Sequence, residues 1–242
     1  MTTTSSSVPA LEPTTAATAA STATSSRTAE VRPAAPQRPW AQRALPVVGA
    51  VYVLAWLVGL LVAPAAPGTA DAGAVHEFFT AHAGAFLGQA LLVHGVAGLA
   101  LAGLTVGFAA AVGSGRAVRW VTGTGLAAAA VSLLQVGLGL AAAHDVAHTS
   151  AATTTGWLQA VNVADVAKLV LLAVFAAGTT RVAGCAGRLP RWLQLLGRVL
   201  VPLLAVGGLA FLRPDPALTA VLTVSLPTLL AWAGATAWRL HR

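Results

Sequence analysis

Residues 43–64, RALPVVGAVYVLAWLVGLLVAP, contain no charged side chain between Arg43 and Pro64. A helix needs about 20 apolar residues to cross a bilayer, and apolar surface left in water costs roughly 25 cal/mol per Å². The stretch is therefore typical of a transmembrane helix. Its apolar residues are continuous, whereas a strand of a membrane β-barrel alternates apolar and polar residues with a period of two.

The rest of the chain repeats this pattern. Of the 242 residues, 57% are hydrophobic and 9% are charged, whereas a soluble domain carries about 25% charged residues. The sequence predicts an all-α, polytopic membrane bundle of six transmembrane helices within residues 45–242. The six runs are Leu45–Ala63, Phe86–Val112, Val121–Ala143, Leu158–Gly178, Leu195–Leu212 and Ala217–Leu240.

Residues 1–44 form a separate region with a different composition. The region is rich in Thr, Ser, Ala and Pro and nearly free of large apolar residues. Such a segment cannot bury enough apolar surface to offset the entropy of ordering. We expect a disordered tail.

The net charge of +7 indicates how the chain is oriented. If the N-terminus is cytoplasmic, then of the basic residues only Arg213 is on the outer side and Lys168, the only lysine, is inside a span. Because Lys and Arg favour the cytoplasmic side, the sequence predicts a multi-pass protein of the inner (plasma) membrane with both termini cytoplasmic. The dispersed arginines do not form the basic patch of a nucleic-acid-binding protein. The expected partners are the lipid bilayer and a second copy or another membrane protein.

Several polar side chains interrupt the apolar runs at a similar depth below the outer surface. They are His94, Gln135, Asn162, Asp165 and Lys168, and Thr223 and Ser225 of the sixth run fall at that level too. Ionisable groups inside a membrane are costly and commonly functional. One interpretation is an Asp165–Lys168 ion pair that fixes helix packing, its hydrogen bonds completed by Gln135 or His94. The other is a proton or ion relay that uses the same groups.

A second group of polar residues falls in the outer loops. It comprises His76, His82, His144, Asp145 and His148. Two histidines at positions i and i+4 of a helix can bind zinc or copper, and a carboxylate can complete the shell. The alternative is that they are ordinary polar residues of the membrane interface. Apart from a zinc or copper ion at these residues, no cofactor is predicted. Val75, Phe78, Phe79 and His82 follow helical spacing, which predicts a short amphipathic helix on the membrane surface.

Established catalytic motifs are missing from the sequence. There is no phosphate-binding glycine loop of the Walker or Rossmann type and no G-x-S-x-G. Cys185 is the only cysteine, so the chain has no internal disulfide. An enzyme is therefore the less favoured class.

The segment from Ala44 to Arg119 resembles a broad group of uncharacterised bacterial six-helix integral membrane proteins. The similarity comprises the first span quoted above, the outer loop AVHEFFTAHAGAFLGQ (74–89), a long second span and a short basic turn. It covers the membrane part and implies the six-span fold and its topology.

Three functional hypotheses follow from the sequence. The first is a transport-related or proton-coupled membrane component built around Asp165, Lys168 and His94. The second is a membrane enzyme or metal-handling protein that uses the outer histidines. The third is a non-catalytic scaffold or sensor.

Overall fold

The computed structural model describes residues 39–64, 71–146, 148–213 and 215–242. Within these ranges every regular element is helical, and six helical segments are long and apolar enough to cross a membrane. The predicted all-α, six-span architecture is confirmed. The seven α-helices are α1 (Pro39–Val62), α2 (Ala72–Ala90), α3 (Ala97–Val112), α4 (Arg116–Asp145), α5 (Ala151–Cys185), α6 (Arg191–Gly208) and α7 (Pro216–Leu240).

Two short elements connect or extend these helices. A π-helical segment, Leu91–Val96, joins α2 and α3 into one long second span. A 3₁₀ turn, Leu209–Phe211, extends α6. The helices begin and end where the sequence supplies caps. Asp71, Ser150 and Asp215 accept hydrogen bonds from first-turn N–H groups at 2.9–3.3 Å, which satisfies donors that an α-helix leaves open.

Several helices are longer than the apolar runs that predict them. Residues 39–44, assigned above to the tail, form the first turns of α1, and α5 extends seven residues beyond the predicted run at each end. The remaining tail residues, 1–38, lie outside the described part of the chain. A hydropathy run measures only the apolar part of a helix, whereas the backbone hydrogen bonds continue through polar turns.

The predicted amphipathic helix around residues 75–82 is present, but it is not a separate surface helix. It is the beginning of α2, which packs against α4 and α5 and continues into the second span. His82 has non-helical dihedrals, with φ −120° and ψ 18°, and kinks α2 at that point. Phe79 and Phe86 are partly buried, and their rings stack with centroids 4.3 Å apart.

The six spans form a closed ring in chain order. Each span packs against the next, and α7 packs back against α1. Gln42 of α1 donates a hydrogen bond from Nε2 to the carbonyl oxygen of Leu240 at 3.2 Å. The two ends of the described bundle therefore lie at the same end of the ring.

A glycine face brings α1 and α3 close together. A β-carbon at Gly103 would lie 2.9 Å from Cγ1 of Val48, and one at Gly107 would overlap the Leu45 side chain. Glycine is needed here because any larger residue would separate the helix backbones.

The interior differs between the two halves of the ring. One half is filled by Phe108, Phe175 and Trp232, whose rings pack edge to face with centroids 6.2 and 6.3 Å apart. The other half contains α2, the C-terminal end of α4 and the N-terminal end of α5, and we refer to it as the α2 half. Its interior is less completely filled.

Candidate functional site

Lys168 is the centre of the polar residues inside the bundle. Its side chain is 2% exposed, and Nζ lies 2.6 Å from Oδ1 of Asp165. The same nitrogen donates to Oε1 of Gln135 at 3.0 Å and lies 3.1 Å from Nδ1 of His94. An ammonium group has three N–H donors, so these three partners use all of them. Burying a charge in this way is tolerated only because it is paired and fully hydrogen-bonded.

The contact with Lys168 also determines which ring nitrogen of His94 carries the proton. An ammonium group cannot accept a hydrogen bond, so Nδ1 of His94 must be the acceptor. The imidazole is then neutral and carries its proton on Nε2. Trp56 adds a further contact, with Nζ of Lys168 5.4 Å from the ring centroid, within the range of a cation–π interaction.

Three different elements hold these side chains. Asp165 and Lys168 are three residues apart on α5, the spacing at which helical side chains pair. Gln135 comes from α4, where its Nε2 donates to the carbonyl oxygen of Val161 at 3.3 Å. His94 comes from the π-helical segment, in which the N–H of Ala97 bonds to the carbonyl five residues earlier, that of Leu92. The extra residue in this turn changes which face of the second span His94 occupies.

A cavity of about 280 Å³ lies against this cluster in the α2 half. The residues of α5 that line the cavity run from Thr154 to Lys168 and Leu169. The polar cluster therefore lies at the inner end of the cavity. Its walls carry five aromatic rings and several small side chains. The rings belong to Trp56, Phe79, Phe86, Trp157 and Phe211. An apolar cavity with a few convergent polar groups is the usual form of a small-molecule site.

Four of the five predicted intramembrane residues therefore meet in one cluster, and Asn162 does not. Asn162 is partly buried and does not line the cavity. On α5 the cavity is lined by Val161 and Asp165, and Asn162, one residue after Val161, is rotated about 100° around the helix from it. On α7, Ser225 is buried and Thr223 is exposed, and each donates to a backbone carbonyl of its own helix.

The outer histidines are separate from this cluster. Nδ1 of His76 is 2.8 Å from Oγ1 of Thr154, which links α2 to α5. Nδ1 of His82 is 2.9 Å from the carbonyl oxygen of Phe78. His144 and His148 are exposed. The side chain of Asp145 is outside what the structure describes.

Among the described side chains, no three of His, Cys, Asp or Glu come together as a metal-binding group. The zinc or copper site proposed for residues 76–148 therefore stays a prediction.

The aromatic lining is the part of the site that the sequence analysis missed. Phe79, Ala83, Phe86 and Ala90 all line the cavity and follow the i, i+4, i+7, i+11 spacing of one helix face. That spacing was visible in the sequence as the continuation of the amphipathic pattern. Nothing in the sequence indicated the π-helical segment.

No protein family, curated protein or solved structure matches the chain. What the protein does is therefore inferred from its own geometry. The resemblance to bacterial six-helix membrane proteins stays a prediction.

Proposed function

We propose that this multi-pass membrane protein binds a small, mostly apolar molecule in the α2-half cavity, as a transport-related component of the cell membrane. The observation that carries the proposal is the position of the cavity. It is enclosed by membrane-spanning helices and ends at the buried Asp165–Lys168 pair. A bundle built only for stability would gain more from filling this space, because empty volume and buried ion pairs both reduce stability.

The shape of the second span favours transport over catalysis. α2 is kinked at His82, and the π-helical segment places His94 against Lys168. Interrupted helices beside a polar site near the middle of a bundle are a recurring feature of transporters. The cluster has an ionised pair and a neutral imidazole in contact, the groups from which proton-coupled sites are built.

The charge distribution supports an orientation with both termini in the cytoplasm. Exposed arginines lie at or near the end of the ring where Gln42 meets Leu240; they are Arg43, Arg116, Arg119, Arg181, Arg188, Arg191, Arg198, Arg239 and Arg242. Arg213 is near the opposite end, with Asp71, Glu77 and Asp215. The Lys/Arg bias over short loops favours the orientation with the arginine-rich end inside.

The proposal is tested by binding measurements on the protein in lipid nanodiscs. Three probes share a phenyl ring on a four-carbon chain and differ at the end of that chain: 4-phenylbutylamine, 4-phenylbutan-1-ol and 4-phenylbutyrate. Equilibrium dialysis against empty nanodiscs measures the amount that each protein binds. We expect at least one probe to bind the wild type with one-to-one stoichiometry.

Two matched variants locate the binding. Ala142 lines the cavity, so Ala142→Phe fills part of it and abolishes binding. Ala130 is exposed on the same helix, so Ala130→Phe leaves binding unchanged. If no probe binds, or if Ala142→Phe binds as well as the wild type, the cavity is not a binding site. The scaffold or sensor hypothesis would then be favoured.

A further inference from the structure

We infer that the ligand of this cavity is a lipophilic amine in its ammonium form. The inference rests on the proposed function, because it names the class of molecule that the same cavity takes. It follows from which polar atoms of the cluster are already used and which remain open.

The positive charge of the cluster is not available to a ligand. The Lys168 side chain is 2% exposed, and its three N–H donors are directed to Asp165, Gln135 and His94. A carboxylate or phosphate ligand would need at least one of these donors. Taking one would leave a buried protein acceptor without a partner, which is costly. The cavity is therefore poorly suited to an anion.

The negative charge of the pair is the part that the cavity can reach. Asp165 contacts Lys168 through Oδ1, and its side chain remains 12% exposed and lines the cavity. Among the described residues no donor bonds to the other carboxylate oxygen, Oδ2. That oxygen keeps some accessible surface. A carboxylate accepts several hydrogen bonds. Lys168 lines the cavity too, but its three donors are already used, so only the acceptor end of the ion pair can take a further hydrogen bond.

The walls of the cavity suit an organic cation. Trp56, Phe79, Phe86, Trp157 and Phe211 supply aromatic rings around the space. A cation over such rings is attracted by the negative face of the π system, and more strongly where water is excluded. His94 also lines the cavity, but as a neutral imidazole it contributes no charge that would repel an ammonium group. The cavity of about 280 Å³ is close to the lower limit of ordinary small-molecule sites, which favours a compact ligand.

The three phenylbutyl probes test this inference directly, since they differ only in the head group. At neutral pH we expect the protein to bind the amine about tenfold more tightly than the alcohol, the size of effect expected for a hydrogen bond to a charged group. The carboxylate should bind most weakly. This order is measured on the wild-type protein in nanodiscs and needs no variant.

Two aspartate variants identify the group responsible. Asp165→Asn should bind the amine no better than the alcohol. Asp215→Asn removes a charge that does not line the cavity and keeps a residue type that caps helices, so the amine preference should survive.

Different failures are distinguishable. If the alcohol binds the wild type as tightly as the amine, or the carboxylate binds best, the inference about charge is wrong while the proposed binding site stands. A preference for the amine that persists in Asp165→Asn would also overturn the inference. If none of the three probes binds, the proposed function fails and the inference fails with it.

Discussion

Replacing Lys168 by methionine removes the ammonium group at the centre of the buried cluster and keeps most of the side-chain volume. The change breaks the 2.6 Å contact with Asp165 and leaves Oε1 of Gln135 and Nδ1 of His94 without their donor. Removing one partner of a buried ion pair typically costs about 3–5 kcal/mol. Each buried acceptor left unpaired adds roughly 1–3 kcal/mol. These costs are not additive for groups in contact, and we expect a total loss of about 3–5 kcal/mol.

Asp165 is the group that Lys168→Met leaves without its partner. Most of the loss comes from the carboxylate that Lys168→Met leaves behind, so removing that charge as well should restore stability. We expect the double variant Asp165→Leu, Lys168→Met to recover about 2 kcal/mol relative to Lys168→Met, since buried ion pairs are often replaceable by apolar residues. With the wild type and the single variant Asp165→Leu, these two variants form a double-mutant cycle, which isolates the pair from its neighbours.

The free energy of unfolding is measured in mixed detergent micelles by circular dichroism and tryptophan fluorescence. Arg213→Met is the control, because Arg213 is exposed and its loss should change the stability by about 0.5 kcal/mol or less. A loss below about 1 kcal/mol for Lys168→Met would show that the contacts around Lys168 do not stabilise the fold. A double variant no more stable than Lys168→Met would refute the explanation through an uncompensated carboxylate.

Two further predictions test the packing and the orientation. Gly107→Ala should destabilise the protein by about 1–3 kcal/mol, since its β-carbon would overlap the Leu45 side chain. Gly137→Ala is the control, because it has open space around it and should be neutral or slightly stabilising. Equal effects of the two changes in the same unfolding assay would contradict the close approach of α1 and α3. Cys185, exposed at the arginine-rich end, should react with a membrane-impermeant maleimide in inside-out vesicles and not in intact cells, with Cys185→Ser as the unlabelled control. Labelling from outside would reverse the proposed orientation.

Part of the site could be predicted from sequence because depth in a bundle follows from counting residues along a helix. A rise of about 1.5 Å per residue places His94, Gln135, Asp165 and Lys168 at similar levels. The count does not give the rotation of each helix about its axis, which depends on the neighbouring helices. This is why Asn162 and Thr223 were predicted at the same level, yet neither lines the cavity. For His94 the rotation also depends on the π-helical segment.

The sequence by itself determined the class of protein and the number of spans. Both depend on local quantities, since the absence of charge over about 20 residues already requires a membrane environment. It also determined that every arginine except Arg213 falls at or near the same side of the predicted spans. Only the tertiary structure decided that three elements direct their polar groups to one nitrogen of Lys168 and that α2 packs against the bundle beside them. The cavity is also a property of tertiary packing, because α1, α2, α4 and α5, which are distant in the chain, together supply its lining.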